Sequence, residues 1–242
     1  MASTKEHYNE HLGPIYSWMA GDFAALKARS AALFDRLGLD PGAAPRAVDL
    51  GAGHGAQSVA LAERGFKVAA IDFCRPLLDE LRQNARGLPI TPIEADLLEL
   101  EQHVPPPIGV VVCMGDTLPH LPTTDDVARL VRQSAALLAT GGTFVATFRD
   151  YVSRELQHEA RFIPVRSDEA RILTCFLEYS EDDVTVYDLL HERVDGGWRQ
   201  HVSSYRKLRL SPEWLESVCA DAGLRTIERE SSGGVITFVA VR

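Results

Sequence analysis

Ala47-Val48-Asp49-Leu50-Gly51-Ala52-Gly53-His54-Gly55 is an apolar strand pattern that runs into a turn with glycines at alternate positions. Residues 57–64 then read as the first turns of a helix. Glycine has no Cβ, so Gly51 and Gly53 permit backbone angles and a closeness of approach that other residues forbid. A strand, a glycine turn and a helix in that order make a pocket of the nucleotide-binding type at the carboxyl end of the strand.

The surrounding carboxylates narrow the ligand. Gly51-x-Gly53-x-x-Ala56 also fits the dinucleotide pattern, but Asp49 stands two residues before the first glycine, where a carboxylate repels a pyrophosphate. A cationic or zwitterionic ligand tolerates it better. The next strand, 67–71, ends at Asp72, about twenty residues past the first glycine, where an acidic side chain can accept hydrogen bonds from ribose hydroxyls.

Val48-Asp49-Leu50-Gly51-Ala52-Gly53-His54-Gly55, then Asp72, then Glu94-Ala95-Asp96-Leu97 after a third strand resemble the successive motifs of the class I S-adenosylmethionine (SAM) dependent methyltransferases. The resemblance runs from about Tyr8 to the C-terminus. It implies a Rossmann-like, doubly wound seven-stranded α/β sheet with an antiparallel C-terminal hairpin. It also implies SAM as cofactor, leaving as S-adenosyl-L-homocysteine (SAH). Gly51, Gly53 and Asp49 would hold the methionyl part, Asp72 the ribose with Phe73 beside it, and Asp96 and Leu97 the adenine. The bland reading of Asp96 is a solvated loop carboxylate.

Composition agrees with one elaborated α/β domain. The 242 residues are 45% hydrophobic and 24% charged, enough for a substantial core. A net charge of −9 argues against a nucleic-acid surface, which needs clustered Lys and Arg, and favours a small-molecule substrate. Cys74, Cys113, Cys175 and Cys219 show no C-x-x-C spacing, as expected of thiols in a reducing compartment. No signal-peptide pattern and no apolar run of membrane-spanning length occurs, so the expectation is a cytoplasmic protein without a membrane partner.

Around the core, four segments are expected: an N-terminal arm and helix (1–45), the cofactor-binding core (46–150), an antiparallel β insert (151–210), and a final helix and hairpin (211–242). The opening residues, 1–9, are polar and read as a fraying end. Tyr8, His11, Leu12, Ile15, Tyr16, Trp18 and Met19 then gather aromatic and apolar groups, either as a lid over the cofactor or as an arm packed on the core. Tyr16 and Trp18 are the candidates to cover the cofactor. Asp22 reads as the N-cap of a helix that Gly38 ends. His7 and His11 are four apart, yet no third ligand is evident, so no metal is expected.

Strand four, 108–114, ends in Met114-Gly115-Asp116-Thr117-Leu118-Pro119-His120. Ligands in open α/β sheets lie beyond the carboxyl ends of strands, which places Met114 against the cofactor and His120 near the transferred methyl group. An imidazole there either takes a substrate proton or only packs against the cofactor. A further helix stops at Gly141-Gly142 before strand five, 143–148. Residues 170–177, 184–191 and 198–207 read as three antiparallel strands, which either wall a substrate cavity or make a homodimer contact.

Phe148-Arg149-Asp150-Tyr151 and Tyr205-Arg206-Lys207-Leu208 narrow the resemblance to the glycine and sarcosine N-methyltransferase branch. That resemblance implies an arginine, Arg149, on the substrate carboxylate. Arg206 could assist it, and Tyr205 is a second candidate, with His120, to remove or order a proton. O- or C-methylation of a small acid or natural product is the nearest rival. An NAD(P)-dependent oxidoreductase and a non-catalytic SAM-binding module are more distant ones.

Overall fold

The computed structural model describes residues 3–242. The chain enters through α1 (Thr4–His7), a π-helical turn (Tyr8–Leu12), a 3-10 turn (Gly13–Ile15) and α2 (Tyr16–Ala20). Ser3 and Glu6 form a capping box at the start of α1. The opening therefore does not fray from Ser3 onward as its polarity predicts, while Met1 and Ala2 lie outside the described residues. The reason is tertiary. His7 is buried, its Nδ1 2.8 Å from the Ser203 hydroxyl and its Nε2 3.0 Å from an Asp188 oxygen. Leu12 and Ile15 pack on Leu173 and Leu190. Asp22 caps α3 (Phe23–Arg36) as expected, accepting the Ala25 N–H at 2.8 Å.

The central strand is β1 (Arg46–Leu50), flanked by β2 (Lys67–Asp72) and then β3 (Ile90–Glu94) on one side. On the other side come β4 (Ile108–Cys113) and β5 (Leu138–Arg149). These five run parallel. Helices α4 (Ala56–Glu63), α5 (Arg75–Asn84), α6 (Leu100–His103) and α7 (Thr124–Leu137) lie between them in sequence. Alternate residues of the strands serve opposite layers: Val48 and Val111 pack with Leu130 of α7, whereas Ala47 and Val112 pack with Phe34 of α3 and Leu61 of α4. Phe34, Leu61 and Phe66 are wholly buried, each contributing roughly 1.5–3 kcal/mol.

Strand β5 corrects one expectation. Gly141-Gly142 lies inside the strand and is not a gap before it, because α7 passes directly into β5 at Leu138. The pair is a kink where the register against β4 shifts. Gly141 has φ +80°, and a Cβ on Gly142 would stand 2.8 Å from the Ala139 carbonyl oxygen.

The insert is a separate four-stranded antiparallel sheet in the order β6 (Phe162–Ser167), β7 (Arg171–Tyr179), β8 (Asp183–Val194), β9 (Gly197–Leu208). Sequence reading finds the last three and misses β6, whose Pro164 argues against a strand. At the edge of a sheet that proline is tolerated. Asp195 and Gly196, both with positive φ, close the β8–β9 hairpin. Helix α8 (Pro212–Asp221) and the antiparallel pair β10 (Arg225–Ser232) and β11 (Val235–Val241) complete the main sheet beside β5. No helix among the described residues is long and apolar enough to cross a membrane.

Candidate active site

The glycine turn is tied to the neighbouring strand. Gly51 and Ala52 both donate their N–H to the Ile71 carbonyl, at 2.9 and 3.1 Å. Gly51 adopts φ +73°, and a Cβ there would lie 2.5 Å from the Thr117 side chain, so no other residue fits. At Gly53 the added atom would face only the Tyr16 ring, 3.8 Å away.

Asp72 shapes this turn as well as facing it. One carboxylate oxygen accepts the Gly53 N–H and the other the Cys74 N–H, both at 2.8 Å. Burial raises its pKa against the lowering pull of these bonds. Asp49 sits behind the turn, almost fully buried, with one oxygen accepting the Ser58 hydroxyl at 2.6 Å. Its second oxygen has no partner among the described residues. Burial pushes its pKa up to about 7.

A cavity of about 1420 Å³ opens over the turn, above the ~300–1,000 Å³ usual for ligand sites. From the carboxyl ends of β1 to β4 it takes Gly51, Gly53, Asp72, Phe73, Asp96, Leu97 and Met114 as lining residues. Tyr8 and Tyr16 come from the N-terminal arm, His120 from beyond β4, Arg149 from the end of β5 and Arg206 from within β9. Asp49, Trp18 and Tyr205 do not line it. Trp18 corrects the lid expectation. Its indole N–H donates to Asp168 and its ring lies 4.4 Å from the Arg171 guanidinium, so it fastens the arm to the insert rather than covering the cofactor pocket.

His120 ends a 3-10 turn (Leu118–His120) beyond β4. Its Nε2 lies 3.3 Å from the Tyr8 hydroxyl, and its Nδ1 has no partner among the described residues. Its ring stacks on Tyr205 at 5.3 Å, and Tyr205 packs on His7 at 4.1 Å. Burial first, then Lys207 and His7, holds the His120 pKa well below its ordinary range, while burial pushes the Tyr8 and Tyr205 hydroxyls well up. A neutral imidazole is left at the cavity wall. It can orient a lone pair or an N–H, but it stores a proton poorly. His7 and His11 make no metal pair, since both nitrogens of His7 face Ser203 and Asp188.

Residues 47–142 match the family described as Methyltransferase domain. They are a class I SAM-dependent methyltransferase domain. Glycine N-methyltransferase of Oryctolagus cuniculus is 30% identical over 121 residues, which are 44% of this chain and 41% of that protein. The chain thus spans about two fifths of that relative's length. Two solved structures share the fold nearly end to end. The CcbJ methyltransferase from Streptomyces caelestis has a TM-score of 0.80 at 24% identity, covering 98% of each chain. The SAM-bound amino pentose methyltransferase CalS10 from Micromonospora echinaspora has 0.77 at 21%, covering 96% of this chain and 97% of that one.

Beside the methyltransferase domain's cofactor turn lies a polar cluster that sequence reading misses. Asp116 follows β4 with φ +73° and lines the cavity. Its carboxylate accepts the Lys207 ammonium, the Arg149 backbone N–H at 2.8 Å and, more distantly, the Tyr151 hydroxyl at 3.4 Å. Burial lowers the Lys207 pKa, and the adjacent Asp116 charge reverses that to a net rise. The signal available was the spacing of Tyr205 and Lys207, which puts both on one face of β9. Arg149 keeps an exposed guanidinium, with Nε 4.0 Å from Asp116, whereas Arg206 is already paired with Asp183.

Proposed function

We propose that this chain methylates the nitrogen of a small, amino-acid-like or larger amine that carries an anionic group, with SAM as the methyl donor. One observation carries the reading: the cavity over the glycine turn continues without a break to His120, Tyr8 and the half-free Arg149. The residues present fit the donor. The cradle at Gly51 and Gly53 admits close backbone approach, and the unpaired oxygen of buried Asp49 favours a cationic group in front of it.

Gly51 and Gly53 would hold the methionyl part, Asp72 the ribose through its remaining lone pairs, Asp96 and Leu97 the adenine, and Tyr16, Phe73 and Met114 the surrounding walls. A bound sulfonium supplies an electrophilic methyl group with a neutral thioether as leaving group. The chain's own contribution is then alignment and exclusion of water. His120, held by Tyr8 and backed by Tyr205, would orient the acceptor nitrogen by hydrogen bonding. Arg149, assisted by Arg206, would hold the acceptor's anionic group. The cavity volume supports an acceptor larger than free glycine beside the donor.

A screen of amino acids, amino sugars and other small amines with methyl-labelled SAM tests this. The expected result is a labelled N-methyl product from at least one amine and none from the matching alcohol. Label on oxygen or carbon only, or no transfer despite tight SAH binding, contradicts it.

A further inference from the structure

Lys207 is an expensive residue for its position. Its side chain is only 9% exposed, and it meets an Asp116 side chain that is 13% exposed. A buried ion pair forfeits hydration on both partners, and apolar side chains of similar size would join two sheets at less cost. The pair is placed where it connects three segments. Lys207 comes from β9 of the insert, Asp116 from the tip of β4, and the opposite oxygen of the same carboxylate accepts the backbone N–H of Arg149 at the end of β5. The Asp116 N–H donates to the Thr147 carbonyl at 3.0 Å, and the Gly115 N–H to the Thr147 hydroxyl at 3.0 Å. Asp116 is thereby held in a left-handed conformation that costs energy and persists only under such restraint.

We propose that Lys207 and Asp116 are a positioning pair for the acceptor half of the cavity, fixing the end of β5 so that the Arg149 guanidinium stands over the acceptor. This rests on the reading of Arg149 as the group that meets the acceptor, and it adds two residues that act through it. Lys207 does not line the cavity, and among the described residues neither member of the pair hydrogen-bonds the glycine turn or Asp72. The ammonium of Lys207 also lies 5.6 Å from the Tyr205 ring and 6.0 Å from the Tyr151 ring, which keeps it seated on the inner face of the insert.

The decisive experiment needs no acceptor. Crystal structures of the parent, Lys207→Met and Lys207→Arg are determined with SAH, alongside calorimetric SAH affinities. The expected outcome for Lys207→Met is an Arg149 guanidinium displaced by about 3 Å or more with SAH affinity within about twofold, and Lys207→Arg restores the parent position. Lys207→Gln, which keeps a polar group of similar reach, replaces Lys207→Met if the latter does not fold. An Arg149 that stays in place in the Met or Gln variant overturns the proposal.

With an amine from the labelled-SAM screen, Lys207→Met should raise KM about tenfold with kcat within about threefold, and should add little in an Arg149→Leu background. Full additivity of the two substitutions means Lys207 does not act through Arg149. If no amine is turned over, the functional reading fails, while the three structures still decide the positioning role.

Discussion

The two halves of the cavity are built on different terms. The half proposed for the donor is backbone and short-range: β1, the glycine turn and the tip of β2 hold Gly51, Gly53 and Asp72 through main-chain hydrogen bonds to Ile71, Gly53 and Cys74. The half proposed for the acceptor is assembled from side chains far apart in sequence, with Tyr8 on His120, His7 on Asp188, and Lys207 on Asp116. A pocket for an invariant ligand can be written into one local turn, whereas a pocket for a variable acceptor can be rebuilt by changing an insert and an arm. Substitutions in one half should therefore leave the other nearly untouched.

The largest effect should come from His7→Ala. It removes one of the two side-chain partners of an almost fully buried carboxylate, which Cys175 also meets at 2.8 Å, a loss of about 3 kcal/mol in urea denaturation. A loss below about 1 kcal/mol would mean that the arm is not fastened through this contact. Asp72→Ala should come next. It removes the carboxylate proposed to accept from the ribose hydroxyls, a contact worth about 1.5–3 kcal/mol, and also frees the Gly53 and Cys74 N–H groups that shape the turn, so calorimetric SAH affinity should fall roughly 100-fold. Unchanged SAH affinity would remove Asp72 from the donor site.

Arg149→Leu sharpens the comparison from the other side. KM for the acceptor should rise about tenfold, with SAH affinity within about twofold. Equal losses in both would join the halves that the geometry separates.

The smallest effect is a pH dependence at Asp49. Its pKa in the folded chain, about 7, lies above its ordinary 3.8, so its contribution to stability is full at low pH and is lost as pH rises through about 7. A ligand bearing an ammonium group favours the ionised form. SAH should therefore bind a few-fold more tightly at pH 8 than at pH 6, and Asp49→Asn should flatten that dependence. A dependence that survives in Asp49→Asn assigns the titration to another group.

The geometry of the glycine turn was legible in the sequence because it is local. Alternate glycines, the strand-end acidic residues Asp49 and Asp72, and the periodicity of the flanking helices need no tertiary knowledge. The parallel strands and the C-terminal hairpin were legible for the same reason. The acceptor half was partly hidden. His120 stood out as a polar group beyond a strand end, whereas Arg149 and Arg206 were singled out through the resemblance to the N-methyltransferase branch, and all three line the cavity. Lys207 and Asp116 did not, because their pairing joins segments 91 residues apart. Trp18 was misread as a cover because an aromatic residue in an arm resembles one, and only the fold brings Asp168 and Arg171 to it. The polarity of the first residues likewise hid His7, whose burial depends on β8 and β9.

A crystal structure with SAH tests the central claim most directly. The adenosyl group should lie between Asp72 and Asp96, with the thioether sulfur in front of the Gly51–Gly53 backbone and open toward His120. SAH bound elsewhere, or bound there with its sulfur shut off from His120 and Arg149, would contradict a single cavity that joins donor to acceptor.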